Sequence, residues 1–390
     1  MWNLAIFKPS KRSEVDPFIA MDVMSAANRK EAEGTRVLHM ELGQPGMPVP
    51  DKVRLAAEEV LASGKLGYTE ARGMLALRQA IVAHYETQYG VTVPESRVMV
   101  TTGSSAGFNL AFLAGFDPGD RVVLTAPGYP AYRNILKALG LVPVEIAVGA
   151  DTRWALTPAH LDAARADGPI KGVLVASPAN PTGTMMTPEA LEALACYCEE
   201  EGVWFISDEI YHGLSYGLPE ETALKYSQKA IIVNSFSKYY CMTGWRIGWM
   251  ILPEELVRPA ERIGQSLYIS APQLSQVAAM AAFDARDGLE AIKQVYAENR
   301  RVLLDGLAAA GFDEVLPVDG AFYAYVGVRK FTNDSLDYCR RMLEETGIAA
   351  TPGADFDPVH GAGYIRFSFA GPTQDVQDAM ERLKGWSSCS

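Results

Sequence analysis

The stretch Ile231-Ile232-Val233-Asn234-Ser235-Phe236-Ser237-Lys238 decides how the rest of the chain is interpreted. Its apolar, β-branched first half is typical of a strand buried in a sheet. Two hydroxyl side chains then precede a lysine, and Gly244-x-Arg246-x-Gly248 begins six positions later. An amine at a strand end, beside groups suited to a phosphate, can condense with a carbonyl cofactor. Because a lone loop lysine is usually solvated, this hypothesis depends on partners elsewhere in the chain.

Short β-rich runs alternate with amphipathic segments on both sides of this stretch. The predicted strands are 98–102, 121–125, 142–146, 172–177, 203–207, 231–235 and 247–252, and the clearest helices between them are 108–115, 131–140 and 188–202. This alternation predicts an α/β fold, in which a mostly parallel seven-stranded sheet is covered by helices on both faces. The near-continuous apolarity of the runs fits strands that are buried on both sides.

The last third of the chain predicts a smaller α+β unit. A long helical stretch runs from residue 272 to about 310, with an interruption near 284–288, and a strand (321–328), a helix (335–346) and a strand (364–369) follow. Since 390 residues exceed what one hydrophobic core usually spans, two domains are expected. We predict a large domain at 44–287 and a small domain that combines 1–43 with 288–390.

Composition excludes several classes of protein. A net charge of −12 argues against a nucleic-acid partner and against an anionic membrane surface. No run approaches the roughly 20 apolar residues of a membrane span. Five cysteines in a long chain without an export signal predict a cytoplasmic protein. The five histidines form no recognisable ligand set, so we expect no metal.

Candidate binding groups follow the predicted strands, where ligands gather in parallel sheets. The turn Gly103-Ser104-Ser105-Ala106-Gly107 leads into a helix, and its small residues would let backbone N–H groups approach a phosphate. Tyr129 stands in the turn Pro127-Gly128-Tyr129-Pro130 and could stack on a flat ring. Asn180 lies between two prolines in Ser177-Pro178-Ala179-Asn180-Pro181-Thr182-Gly183, which predicts a stiff turn that aims its amide.

Two charged residues at strands are the most informative of these candidates. Asp208, at the end of an apolar run, would be costly to bury unless a cation held it ionised, and a protonated pyridine nitrogen is such a cation. Taken alone, Asp208 is more readily explained as the cap of a helix that follows it. Tyr211 is one helical turn further along. Arg366 lies inside an apolar strand and needs an anion, for which its planar fork suits a carboxylate.

The same glycine-serine turn permits a second interpretation. Residues 103–107 match G-x-S-x-G, the nucleophile elbow of serine hydrolases, and Asp208 and His360 follow in the matching order. However, the His-Gly-rich stretch that could form an oxyanion loop, residues 360–363, lies far downstream of the serine. The serine hydrolase therefore remains a remote alternative.

Together these motifs resemble one family. The order Gly-Ser-Ser, Tyr, Asn-Pro-x-Gly, Asp-x-x-Tyr, Ser-x-Ser-Lys, Gly-x-Arg-x-Gly, Arg is similar to that of the fold-type I pyridoxal-phosphate enzymes, specifically the class I/II aminotransferases. The resemblance extends from about Gly43 to Ser368, and the stretches 177–183 and 235–248 are its most specific parts. It implies pyridoxal 5'-phosphate as cofactor, and an L-amino acid and a 2-oxo acid as substrates that react in two half-reactions.

The resemblance also implies a role for each motif residue. Lys238 would bond to the cofactor and then serve as the base that moves a proton. The phosphate would be bound by Arg246, Ser235, Ser237 and the backbone at Ser104 and Ser105. Asp208 would pair with the ring nitrogen, Asn180 and Tyr211 with the ring oxygen, and Tyr129 would stack on the ring. Arg366, with Asn180 and the backbone at Gly43, would hold the substrate carboxylate. Tyr68 would reach the phosphate of a neighbouring subunit, which implies a homodimer.

One departure bears on the substrate. In aspartate-preferring relatives the N-terminal segment that closes over the site carries small hydroxyl residues, whereas here Pro17-Phe18-Ile19-Ala20-Met21 is apolar. We therefore expect a preference for apolar or aromatic amino acids. A carbon–sulfur β-lyase or another α-carbon eliminase would use the same catalytic set and stays open. A pyridoxal-phosphate-sensing transcription regulator would need an added DNA-binding domain, for which there is no basic segment.

Overall fold

The structure is a computed structural model that describes residues 7–387; residues 1–6 and 388–390 lie outside the described part. The strands are β1 (Leu38–His39), β2 (Val98–Thr101), β3 (Arg121–Ala126), β4 (Val142–Ala147), β5 (Gly172–Ala176), β6 (Trp204–Asp208), β7 (Ile231–Ser235), β8 (Gly248–Ile251), β9 (Tyr323–Gly327), β10 (Ile348–Ala349), β11 (Thr351–Pro352) and β12 (Tyr364–Ser368). The helices are α1 (Ile19–Ala32), α2 (Asp51–Ser63), α3 (Leu75–Tyr89), α4 (Ser104–Gly115), α5 (Pro130–Leu139), α6 (Pro158–Arg165), α7 (Pro188–Glu200), α8 (Glu254–Tyr268), α9 (Gln273–Phe283), α10 (Arg286–Ala309), α11 (Ser335–Thr346) and α12 (Thr373–Ser387).

Seven strands form the large sheet in the order β2-β8-β7-β6-β5-β3-β4. All neighbours pair in parallel except β8, which runs antiparallel to both β2 and β7. The predicted α/β class with a mostly parallel seven-stranded sheet is therefore confirmed. Each predicted strand lies within one or two residues of an observed strand.

Helices cover both faces of this sheet. Successive residues of β5 alternate between two hydrophobic clusters: Val173 and Val175 pack in one, and Leu174 in the other. The first cluster also contains residues of α2, α3, α7 and α9, and the second contains residues of α4, α5 and α8. Burial of apolar side chains on both faces is what makes the strands read as continuous hydrophobic runs.

The helix α5 shows how local sequence places a functional side chain. Pro130 starts the helix, where the missing N–H costs nothing, and Gly140 ends it with φ 82°. Tyr129 and Tyr132 therefore stand at its amino end, directly after β3. This places both rings at the carboxyl edge of the large sheet.

The C-terminal part of the chain forms its own sheet and core. Strands β11, β12 and β9 make an antiparallel sheet in which Arg366 is in register with Tyr325 and Thr351. The short β1 pairs in parallel with β10, so the N-terminal segment contacts this unit. A hydrophobic cluster that includes Leu38, Phe322 and Leu383 lies beneath. The exact domain boundaries at 43/44 and 287/288 stay a prediction.

The first turn of α1 is held from a distant part of the chain. The backbone N–H groups of Ile19 and Ala20 donate to the two carboxylate oxygens of Asp355, each at 3.1 Å. On the other side of this segment, Lys137 of α5 pairs with Asp16 at 2.8 Å. Segment 16–20 is thereby attached both to the large sheet's helices and to the C-terminal unit.

Two local predictions need correction. Asp208 is the last residue of β6, and residues 209–213 form a turn rather than the helix that was expected after it. The Asp208 side chain therefore caps no helix but accepts a hydrogen bond from the Ile210 N–H at 3.1 Å. The expected interruption near 284–288 is shorter, since α9 and α10 are separated by residues 284–285 alone. Within residues 7–387, no helix is long and apolar enough to cross a membrane.

Candidate active site

Sheet topology gathers most of the predicted residues at one edge. Strands β3, β5, β6 and β7 all end there, which brings Tyr129, Asn180, Asp208 and Lys238 to the same side. Because β8 is reversed, its amino end lies at this edge too, and Gly248 is in register with both Ser235 and Thr101. Arg246, two residues before Gly248, is thus delivered to the ends of β2 and β7.

A cradle for an anion forms where β2, β7 and β8 meet. Ser235 Oγ lies 2.8 Å from Ser237 Oγ, and no side chain caps the amino end of α4 at Gly103. A Cβ atom on Gly103 would lie 2.5 Å from Arg246 Nη2, so only glycine lets the guanidinium approach this helix end. The first N–H groups of α4, at Ser104 and Ser105, have no acceptor within the helix. Hydroxyls, N–H groups and a guanidinium together suit a phosphate.

Lys238 is the central amine of the site. Its Nζ donates to the carbonyl oxygen of Gly43 at 2.6 Å and lies 5.9 Å from the centre of the Tyr211 ring. Burial, and then the positive charges of Arg366 and Arg246, lower the pKa of Lys238 to about 8, although Asp208 opposes the shift. Roughly a tenth of this amine is therefore neutral and nucleophilic at pH 7, far more than for an ordinary lysine.

Asp208 is a buried carboxylate with a phenol beside it. Tyr132 donates a hydrogen bond to Asp208 Oδ2, and Oδ1 accepts from the Ile210 N–H. Burial raises the pKa of Asp208 to about 6; the hydrogen bond from Tyr132 acts in the opposite direction. A cation placed against this carboxylate would lower its pKa again, so the residue is suited to pair with a protonated ring nitrogen.

Tyr211 belongs to a pair of buried phenols. Its hydroxyl lies 2.8 Å from the hydroxyl of Tyr323, on β9. A Cβ atom on Gly43 would fall 1.8 Å from the Tyr323 hydroxyl, so a side chain at position 43 would displace this phenol. Gly43, Tyr323 and Tyr211 therefore form one wall next to Lys238.

Arg366 is buried and held in a fixed orientation. Nη1 donates to Asn180 Oδ1 at 2.8 Å, and Nη2 donates to Thr351 Oγ1 at 3.1 Å and to the Glu41 carbonyl. The guanidinium also lies over the rings of Tyr323 and Phe356, at 4.4 Å and 4.7 Å. Its Nε is buried without a hydrogen-bond partner among the described residues. A buried, unneutralised guanidinium is a site for an anion.

Tyr129 faces the same space and is covered by the N-terminal segment. Burial raises the pKa of Tyr129 to about 12, and Tyr323, Asp208, Arg366 and Arg246 are near enough to affect it. The ring of Phe18 meets the Tyr129 ring edge-on at 5.7 Å. Segment 16–20 therefore places an apolar side chain over the aromatic wall of the site.

Two predicted residues are not enclosed with the rest. Tyr68 is 82% exposed in the single chain, and Ser105 is exposed at the surface of α4. Exposure of a large aromatic ring is consistent with a contact that a second chain would provide, whereas Ser105 can contribute its backbone N–H without being buried.

Three residues of the site were not predicted from the sequence: Tyr132, Tyr323 and Thr351. Tyr132 had a usable signal, because it lies three residues after Tyr129 at a helix start and so shares its face. Tyr323 and Thr351 had none, since each stands in a run of apolar residues that reads as core. Their roles depend on contacts with residues far away in the chain.

The chemistry of the gathered side chains suits a pyridoxal phosphate. The cradle fits a phosphate dianion, Asp208 fits a pyridinium, and Lys238 fits an aldehyde. In the described part of the chain, no group of three His, Cys, Asp or Glu side chains could hold a metal ion. The hydrolase alternative has no geometric support, because within residues 7–387 no histidine hydrogen-bonds to Ser105.

Comparison with known proteins agrees with this chemistry. The sequence model of one family, described as Aminotransferase class I and II, matches residues 35–383. A valine–pyruvate aminotransferase of Mycobacterium tuberculosis is 48% identical, over 96% of this chain and 97% of that protein. The crystal structure of an aminotransferase from the same organism has a TM-score of 0.96 at 46% identity and covers 99% of this chain and 100% of its own. An aspartate aminotransferase from Thermus thermophilus, solved with maleate, has a TM-score of 0.91 at 28% identity and covers 97% of this chain and 100% of its own.

Proposed function

The chain belongs to the class I and II aminotransferase family and is an aminotransferase, and from that premise we propose how its residues perform the transfer and on which substrates. Pyridoxal 5'-phosphate is the proposed cofactor, an L-amino acid the donor and a 2-oxo acid the acceptor, which react in turn by a ping-pong mechanism. The observation that carries this proposal is the lowered pKa of the Lys238 amine. This amine lies in one pocket with a buried carboxylate, Asp208, and a buried guanidinium, Arg366.

Cofactor binding is assigned to the carboxyl edge of the large sheet. Arg246, Ser235, Ser237 and the N–H groups of Ser104 and Ser105 bind the phosphate. Asp208 holds the ring nitrogen protonated, Asn180 and Tyr211 contact the ring oxygen, and Tyr129 covers one ring face. When bound, the cofactor supplies an electron sink for the charge left on the substrate Cα.

Lys238 is assigned the proton transfer at the substrate Cα. A general base works best when its pKa lies near the working pH, and a pKa of about 8 meets this condition. Such a base contributes roughly 10²- to 10⁴-fold to the rate. The Tyr211 ring lies 5.9 Å from the amine, and the Gly43 carbonyl accepts its hydrogen bond.

Arg366 is assigned the substrate carboxylate. Asn180, Thr351 and the Glu41 carbonyl fix the guanidinium, so an incoming carboxylate meets a cation whose orientation is already set. Both the amino acid and the oxo acid carry this carboxylate, so one arginine serves both half-reactions. The backbone at Gly43 completes the substrate contacts.

The donor is proposed to be an apolar or aromatic amino acid. Phe18 packs on Tyr129, and segment 16–20 offers a substrate no additional cation. The relative that is 48% identical is described as acting between valine and pyruvate, which agrees with an apolar donor. The aspartate aminotransferase from Thermus thermophilus is more distant, at 28% identity.

A cytoplasmic homodimer is proposed as the working form. Tyr68 is the argument for the dimer, because the exposed ring is assigned to the phosphate of the neighbouring subunit. Leu61 and Leu66, on the segment that leads to Tyr68, are about half exposed and would be covered in the same contact.

A panel of amino donors against 2-oxo acids tests the proposal. Purified protein should transfer nitrogen from valine and other apolar or aromatic donors faster than from aspartate. Aspartate as the best donor would contradict the proposed preference. Release of pyruvate and ammonia from a β-substituted amino acid, without transfer to an oxo acid, would instead favour the β-lyase.

A further inference from the structure

A buried histidine connects two parts of the site. His212 is 8% exposed; its Nδ1 lies 2.7 Å from the Tyr89 hydroxyl, and its Nε2 lies 3.0 Å from the carbonyl oxygen of Ser177. Because a carbonyl oxygen only accepts, Nε2 carries the hydrogen and donates to Ser177. Nδ1 can then accept from the phenol of Tyr89.

The two parts that His212 joins hold different groups. The turn 209–213 follows Asp208 and contains Tyr211, which are the groups assigned to the cofactor ring. Ser177 starts the proline-flanked segment that carries Asn180, and Asn180 in turn contacts Arg366. A backbone bond from the Ser177 N–H to the Asp208 carbonyl also joins them, but it is 3.3 Å long. The histidine bond is therefore the shorter of the two.

The neighbouring carboxylate does not explain the presence of this histidine. Glu209 is buried, and its oxygens accept from Thr222 Oγ1 at 2.8 Å, the Ala223 N–H at 3.1 Å and the Tyr85 hydroxyl at 3.1 Å. The nearest approach of Glu209 to His212 Nδ1 is 3.8 Å, beyond hydrogen-bond distance. The direct partners of the ring are thus Tyr89 and Ser177.

We propose that His212 is a positioning residue for the substrate carboxylate. Its Nε2–H holds the segment 177–180 at a fixed distance from Asp208 and Tyr211, so that Asn180 and Arg366 present their donors to a substrate already placed over the ring. This inference rests on the roles proposed above for Asn180 and Arg366. It adds a residue that contacts neither substrate nor cofactor.

Two amide variants test it as a matched pair. The amide nitrogen of glutamine can take the place of Nε2, whereas that of asparagine takes the place of Nδ1 and does not reach Ser177. His212→Asn should raise KM for both amino acid and oxo acid by about three- to tenfold, with one lost hydrogen bond as the upper limit, and change kcat less than about twofold. His212→Gln should stay within about twofold of the wild type in both constants.

Each other result overturns the inference. An equal loss of substrate affinity in both variants would mean that the imidazole ring only fills space. No loss of affinity in either variant would mean that the bond to Ser177 does not affect substrate binding. If His212→Asn fails to fold, ¹⁵N NMR of histidine-labelled wild-type protein decides, because a hydrogen on Nδ1 instead of Nε2 contradicts the assignment. Arg366→Lys, measured in parallel, separates the two proposals. If Arg366→Lys binds substrate more weakly and His212→Asn behaves as wild type, only the role of His212 is contradicted. If Arg366→Lys binds substrate as the wild type does, the role of Arg366 is contradicted.

Discussion

The phenol of Tyr132 donates a hydrogen bond to the carboxylate of Asp208, and both side chains are buried. Burial disfavours the charged carboxylate, and this bond opposes that effect. Since only the ionised form can pair with a protonated ring nitrogen, we expect Tyr132 to act on binding of the proposed cofactor through Asp208.

Replacement of Tyr132 by Phe is therefore expected to raise the pKa of Asp208 above about 6. A carboxylate is ionised above its pKa, so cofactor affinity should fall as the pH drops through that value. In Tyr132→Phe this fall should begin at a pH higher by roughly half to one unit. Fluorescence titration of cofactor-free protein with pyridoxal phosphate between pH 5 and pH 8 measures the shift. Tyr129→Phe is the control, because the Tyr129 hydroxyl makes no hydrogen bond to Asp208. Identical pH profiles of cofactor affinity for wild type and Tyr132→Phe would contradict the prediction.

Lys238→Ala is expected to abolish turnover. The variant loses both the covalent attachment and the base, and the base alone is worth roughly 10²- to 10⁴-fold. Noncovalent cofactor binding should persist, since the phosphate and ring contacts remain. Activity and bound cofactor after gel filtration are the two measurements. The control is Lys229→Ala, which removes a lysine from an exposed ion pair with Glu255 and should behave as wild type. Full activity in Lys238→Ala would contradict the catalytic role of Lys238.

The capture of pyridoxal phosphate by cofactor-free protein should depend on the ionisation of Lys238. The amine attacks only when neutral, and its pKa of about 8 lies well below the ordinary value of 10.5. The capture rate should therefore rise about tenfold per pH unit up to pH 8 and level off above it. Stopped-flow absorbance follows the reaction. A rate that keeps rising to pH 10 would show an unshifted lysine.

Arg366→Lys is expected to weaken binding of amino acid and oxo acid alike by about ten- to a hundredfold. Lysine keeps the charge but loses the planar fork and its bidentate contact. Initial-rate measurements with each substrate varied give the two KM values. Arg329→Ala removes a partly exposed guanidinium that lies over Tyr364, on the strand of Arg366, and should leave both values unchanged.

The proposed homodimer with shared sites predicts complementation between two inactive variants. Lys238→Ala and Tyr68→Ala each damage every site of their own dimer, whereas a mixed dimer has one site with both changes and one with neither. Refolding the two together should restore activity toward a quarter of the wild-type value per total subunit, if exchange is complete. Activity no greater than the sum of the separate variants would argue against a contribution of Tyr68 across the interface.

The sheet could be predicted from sequence because its strands are buried on both faces and therefore read as short apolar runs. Lys238, Asp208 and Arg366 could be selected as site candidates as well, since a charged residue beside such a run must have a partner; their roles stay a prediction. The turn after Asp208 was misjudged as a helix, because local spacing cannot tell a single turn from the start of a helix. Tyr211 nevertheless lies in the site, where its hydroxyl contacts that of Tyr323.

Contacts between distant segments account for what the sequence did not disclose. Tyr211 meets a phenol 112 positions away, and Arg366 is fixed by the Glu41 carbonyl 325 positions away. Nothing in the local pattern around Tyr323 distinguishes it from neighbouring core residues, and Glu41 contacts Arg366 through its backbone carbonyl, which carries no sequence signal. The reversal of β8, which delivers Arg246, is likewise a property of the assembled sheet.

Asp355 ties the opening of the chain to its far end. Its two oxygens accept the N–H groups of Ile19 and Ala20, and the side chain is almost wholly buried. If a protease removed the first twenty residues, this carboxylate would lose both donors, and the C-terminal unit would lose its link to the start of α1. Trimming the amino terminus would thus detach the C-terminal unit from the start of the chain, and we expect the protein's tolerance of heat to decline.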